Sequence, residues 1–139
     1  MSWVLRAFTL LELVVVCAIL GIIAAVAAPK TRALMDALAV EAASRDVANA
    51  FALGRLAALR YGGAEVRLDS FAVVVRAQGR VVHQRAVASA HGVRMRVNTS
   101  LVRYAATGIA TGLSNGSVII SRGAAADTVV VSRLGRVRR

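Results

Sequence analysis

Four arginines crowd the last seven residues, Arg133, Arg136, Arg138 and Arg139, and one glutamate, Glu12, stands inside an apolar run from Phe8 to Pro29. These are the two places where residue type and spacing could do chemistry. A guanidinium is a planar fork of donors that fits phosphate oxygens. Gly135, just before Arg136, lets the backbone turn. In extended chain, residues two apart share a face, so Arg136 and Arg138 would present their forks together. Almost no aromatic residues accompany them, so base stacking is not supported, and backbone binding without sequence preference is the expected mode. The competing reading is a solvated terminus with a structural or assembly role.

Glu12 poses a different problem. A carboxylate well inside hydrocarbon costs about 2.5–3.5 kcal/mol and is rarely kept without a partner. No catalytic constellation surrounds it or occurs elsewhere. There is no Ser/His/Asp set, no phosphate-cradling loop, and no carboxylate pair outside the helical region. Glu65 and Asp69 read as solvent-facing strand charges. His83 and His91 stand apart from any cysteine or carboxylate pair at ligand spacing, which argues against zinc. No metal, cofactor or enzymatic activity is expected. Cys17 is the only cysteine and lies within the apolar run, so no intrachain disulfide can form.

The elements that would position these groups follow from hydropathy and charge. The chain has 139 residues. From Phe8 to Ala28 it carries a single charged side chain, over a length that matches the roughly 30 Å hydrocarbon core when helical. About 110 residues then remain for one small domain. Lys and Arg number 18 against 7 Asp and Glu, a net charge of +11, and all but one of the bases are arginine. Arginine use on this scale also reflects a GC-rich coding sequence, but the scarcity of acids favours an anionic partner such as nucleic acid or lipid head groups.

Beyond Pro29, "TRALMDALAVEAASRDVANAFALGRLAALRYGG" continues a helical pattern. Leu34, Leu38, Val47, Phe51 and Ala58 can share a face, with Asp36, Arg45, Asp46 and Arg55 largely off it. Gly62 and Gly63 end it. One helix from Phe8 to Tyr61 is therefore expected. From Ala64 the period changes to strands. These are "EVRL", "SFAVVVRA", a turn at Gln78-Gly79, "RVVHQRAVA", and "GVRMRVN" with Arg94 and Arg96 on one face. "GSVIISRG" and "DTVVVSR" form a hairpin around "GAAA". A helix followed by an antiparallel sheet is an α+β order. Arg94 and Arg96 could widen the basic surface.

Three readings of the N-terminus remain. It could be a secretory signal cut after Ala27, although the run is longer than the usual h-region. It could be a plain membrane anchor, which leaves Glu12 unexplained. The third reading is a resemblance. "FTLLELVVV" and "ILGIIAAVAAP" resemble the class III signal and N-terminal helix of type IV pilins and pseudopilins. In that family a short basic leader is clipped before a phenylalanine, the new N-terminus is methylated, and the fifth mature residue is glutamate.

The resemblance implies a leader over residues 1–7, cleavage between Ala7 and Phe8, and N-methylation of Phe8. Glu12 is then the fifth mature residue, and Pro29 the twenty-second, where the family commonly has proline. Ala7 replaces the glycine usual before the cut. The freed α-amine, largely cationic at neutral pH, would offset Glu12, within one helix or, as the family implies, in a neighbouring subunit.

The C-terminal half, with "ATGIATGLSNGSVIIS" and a final Gly135-Arg136-Val137-Arg138, resembles the GspH/FimT branch, in which a terminal G-R-x-R is implicated in DNA binding. This implies a pilin-like fold: a long N-terminal helix, transmembrane in its first half, packed on a small C-terminal antiparallel sheet domain. The implied segments are residues 1–7 as leader, 8–29 as membrane and assembly helix, 30–62 as amphipathic helix and 63–139 as β-rich domain. The implied setting is the bacterial inner membrane, with the C-terminal domain in the periplasm and assembly into a pilus or pseudopilus. The implied partners are the prepilin peptidase/methyltransferase, other pilins, membrane lipid and DNA. DNA capture by a FimT-like minor pilin leads; a GspH-like pseudopilin of type II protein secretion is its rival.

Overall fold

The computed structural model describes residues 9–111, 116–132 and 136–138. Helix α1, Leu10–Tyr61, is continuous over 52 residues and contains Pro29 without ending there. Pro29 cannot donate to the Ala25 carbonyl, but the helix carries on past it. Thr31 Oγ1 donates back to the Ala27 carbonyl at 3.1 Å. Gly62 ends the helix: its N–H reaches the Ala58 carbonyl at 3.0 Å, and its φ of 82° is the left-handed cap that suits glycine.

The chain divides into two compact units, Met1–Leu34 and Met35–Arg139. In the first, the described residues from Leu10 onward are helix, exposed throughout. α1 is long and apolar enough to cross a membrane near its N-terminus.

In the second unit, α1 buries Val40, Ala43, Val47, Ala50, Phe51, Gly54 and Ala58. Steps of three and four between them make one stripe at helical period. Two sheets receive that stripe rather than the single sheet expected. The first contains β1 (Gly63–Leu68), β2 (Val73–Ala77), β3 (Arg80–Arg85), β5 (Leu101–Ala105) and β6 (Ala110–Thr111), in the order β3-β2-β1-β5-β6. The second contains β4 (Arg94–Val97), β7 (Gly116–Arg122), β8 (Ala125–Val131) and β9 (Val137–Arg138), in the order β4-β7-β8-β9. Every pairing is antiparallel. The fold is α+β, a long helix packed on antiparallel strands.

Alternation along the strands decides which residues fill the core. Val66, Leu68, Val73, Val75, Val102 and Tyr104 face inward from the first sheet, and Met95, Val118, Ile120, Val129 and Val131 from the second, all in one cluster with Phe51 and Val47 of α1. β2 and β3 are joined at Gln78 and Gly79, with φ of 50° and 75°, the doubly left-handed turn that matches strand twist.

Two local expectations change. "RVVHQRAVA" is strand only to Arg85; Val87–His91 is a short helix, α2. Val87 plugs the core while Ala86, Ser89 and Ala90 stay at the surface, a pattern that a run of Ala and Val cannot announce. Leu34 and Leu38, expected on the packed face, are 60% and 56% exposed.

Candidate functional site

The N-terminal turn of α1 is built by Thr9. Its Oγ1 accepts the Glu12 N–H at 3.2 Å, and its carbonyl accepts the Leu13 N–H, also at 3.2 Å. Thr9 is thus the helix cap and Glu12 the third helical residue, the spacing of a capping box. A carboxylate there also meets the positive end of the helix dipole. This role for Glu12 was legible in Thr-x-x-Glu but was not read from it. Glu12 and Cys17 are exposed. The expected cleavage pair, Ala7 and Phe8, lies outside the described residues.

At the other end, β9 pairs with β8 through Val130↔Arg138 and Val131↔Val137. The Arg136 carbonyl accepts from the Ser132 N–H at 2.9 Å, and the Arg136 N–H donates to Ser132 Oγ at 3.2 Å. Val137 packs against the core, whereas Arg136 and Arg138 are exposed. Anchoring by Val137 therefore sets two guanidinium-bearing residues on either side of a fixed point. Arg133, Gly135 and Arg139 lie outside the described residues. Beside β9, a groove of about 490 Å³ runs between Arg136 and Arg138 and the α1 residues Arg55, Leu56 and Leu59. Arg55 was not singled out in the sequence; only the packing of β9 near α1 brings it to the C-terminal arginines.

Register rows locate Arg94 and Arg96. Arg94 aligns with Ser121 and Ala126, Arg96 with Ile119 and Thr128, and Arg138 with Val130 and Ser117. All three arginines are exposed and stand on the side of the sheet away from the core row Val97, Val118, Val129.

With this geometry in view, comparison with known proteins is informative. Residues 6–28 match the family model of the prokaryotic N-terminal methylation motif. No curated protein matches the chain in sequence. The fold is similar to two crystal structures of the type IV minor pilin FimU of Pseudomonas aeruginosa strain PAO1. The form in space group P21 gives a TM-score of 0.59 at 10% identity, over 71% of this chain and 86% of that one. The P65 form gives 0.58 at 10% identity, over 71% and 90%. The fold is type IV pilin-like.

The pilin-like domain uses its few acids to tie α1 to the strands. Asp36 pairs with Arg122 Nε of β7 at 2.9 Å. Arg122 Nη1 also donates to the His91 carbonyl at 2.8 Å. Asp46 Oδ2 receives Arg85 Nε at 2.9 Å and His91 Nε2 at 2.8 Å. Because a carboxylate only accepts, the His91 proton is on Nε2. Burial raises the Asp46 pKa, but the hydrogen bonds from His91 and Arg85 outweigh it and hold the carboxyl below its usual 3.8. His91 was read from sequence as isolated; its partner is 45 residues away, beyond any local signal. Elsewhere Glu65 pairs with Arg67 and Glu41 with Arg45, while Asp69 Oδ1 caps the Phe71 and Ala72 N–H groups. Among the described residues, His, Cys, Asp and Glu form no group of three that could hold a metal.

Proposed function

We propose that this pilin-like chain is a minor pilin, processed between Ala7 and Phe8 and assembled into a pilus-like filament, where its C-terminal arginines bind DNA. The carrying observation is the methylation motif over residues 6–28 on a helix whose apolar residues from Leu10 to Leu34 are all exposed and fit a membrane anchor. Such a segment needs lipid before assembly and neighbouring subunits after it. Cleavage by a prepilin peptidase/methyltransferase frees the Phe8 amine, whose cationic charge offsets Glu12 in low dielectric. The bilayer is the bacterial inner membrane, and the domain beyond it lies in the periplasm. The role is structural and ligand-binding rather than catalytic.

DNA binding is supported by the exposed Arg138 on β9 and Arg136 just before it, the nearby Arg55, and a charge of +11. Arg133, Gly135 and Arg139 extend that segment in sequence. Mobility-shift titration of the full chain in nonionic detergent, with duplexes of unrelated sequence, tests it. Binding of every sequence, falling steeply with salt, is expected. The Arg136→Gln/Arg138→Gln variant should lower the slope of log K against log salt by about 2. No duplex binding at low salt would overturn the DNA role and leave the protein-secretion role as the better account.

A further inference from the structure

Of the seven acids of this chain, each sheet carries one, Glu65 in the first and Asp127 in the second, and they face opposite ways. On the solvent side of the first sheet, Glu65 stands directly between Arg76 and Arg103 across the strands and pairs with Arg67 at 3.2 Å. That face carries one counter-charge among its three arginines. The solvent side of the second sheet carries none. Its rows read Arg94, Ser121, Ala126; then Arg96, Ile119, Thr128; then Ser117, Val130, Arg138. Asp127, the one acid in these four strands, aligns with Met95 and Ile120 in a core-facing row. Among the described residues, Arg94, Arg96, Arg136 and Arg138 have no ion pair and no acid across the strands; Arg76 and Arg103 have no ion pair either but flank Glu65, while Arg45, Arg67, Arg85 and Arg122 are paired.

We infer that the solvent face of the sheet β4-β7-β8-β9 is one continuous polyanion track, on which Arg94 and Arg96 hold the same nucleic-acid duplex that Arg136 and Arg138 hold at the far edge. The inference rests on the DNA-binding reading above and adds a second edge to it. From β4 to β9 there are three strand spacings, about 14 Å. Duplex DNA carries about eight charges over that distance, so phosphates reach both edges at once without any one-to-one match. Ser117, Ser121 and Thr128, lying between the arginines, offer hydroxyl donors of the kind that contact phosphate. The face carries no aromatic ring, so bases are not read or stacked. An acidic peptide would need carboxylates spaced to these arginines, whereas a phosphate backbone presents charge all along its length; the duplex fits better.

The test uses the full chain in nanodiscs of zwitterionic lipid, with duplex binding followed between 50 and 200 mM salt. Arg94→Gln/Arg96→Gln should lower the slope by about 1.8, making the loss of affinity over that range about 12-fold smaller than in the native chain. Arg94→Lys/Arg96→Lys should restore most of the slope, because a point charge still neutralises phosphate. Arg76→Gln/Arg103→Gln, on the first sheet, should change it little. Four results overturn the inference. If Arg136→Gln/Arg138→Gln weakens binding but Arg94→Gln/Arg96→Gln does not, the second edge is wrong and the DNA-binding reading survives. If the first-sheet variant loses as much, net charge and not this face decides. If Arg94→Gln/Arg96→Gln abolishes binding to anionic vesicles while sparing duplex, the face meets lipid. If the native chain binds no duplex, the underlying reading fails with it.

Discussion

Asp46 receives two donors on one oxygen, and its behaviour with pH follows. Its folded pKa lies below the unperturbed 3.8. The stability it contributes is therefore complete at neutral pH and is lost as pH falls through the folded value, below about 4. Asp46→Asn should cost about 1–2 kcal/mol at pH 7 and little at pH 3, measured by thermal unfolding at both. Tyr104 behaves oppositely. Burial pushes its hydroxyl up to about 12, so the domain should lose stability as pH rises from about 10 towards 12. Tyr104→Phe should remove that alkaline loss without weakening the core at pH 7, since the hydroxyl has no partner among the described residues. On the pairing proposed above, Glu12→Ala would leave a cationic amine unpaired in the assembled state. Breaking one side of a buried pair costs about 3–5 kcal/mol, so filament incorporation should fall at least about a hundredfold, with domain unfolding unchanged.

At the scale of elements, α1 approaches β1 through Gly54. A Cβ there would collide with Val66 Cγ2 and sit 3.5 Å from the Tyr104 ring. Alanine gains about 1 kcal/mol in helix propensity, but the buried collision costs more, so Gly54→Ala should destabilise by about 1–2 kcal/mol. A lowered unfolding midpoint checks it; a raised one contradicts the close packing. Much of this layer was legible in sequence. The 3.6-residue period placed Val47, Phe51 and Ala58, and two-residue alternation placed Arg94 and Arg96 opposite Met95. Leu34 and Leu38 were misplaced because periodicity cannot tell a face packed on strands from one left bare. α2 and the division into two sheets were missed because both depend on where the chain changes partners, a long-range choice with no local signature.

For the whole molecule, the first unit is an apolar helical segment whose described residues are all exposed, and the second carries a basic surface without enough acids to neutralise it. Each needs something outside the chain. Glu12 and the arginines were visible as residue types; that Arg55 lies beside β9, or that Arg138 shares a face with Arg94 and Arg96, came only from register and packing. On the processing proposed above, an uncut leader would leave Glu12 without the freed amine and block assembly.

Intact mass and N-terminal sequencing of the protein purified from membranes of a host with a prepilin peptidase test this most directly. The mature chain should begin at a methylated Phe8. A polypeptide that forms filaments while still starting at Met1, or one starting at Ala28, would contradict the account.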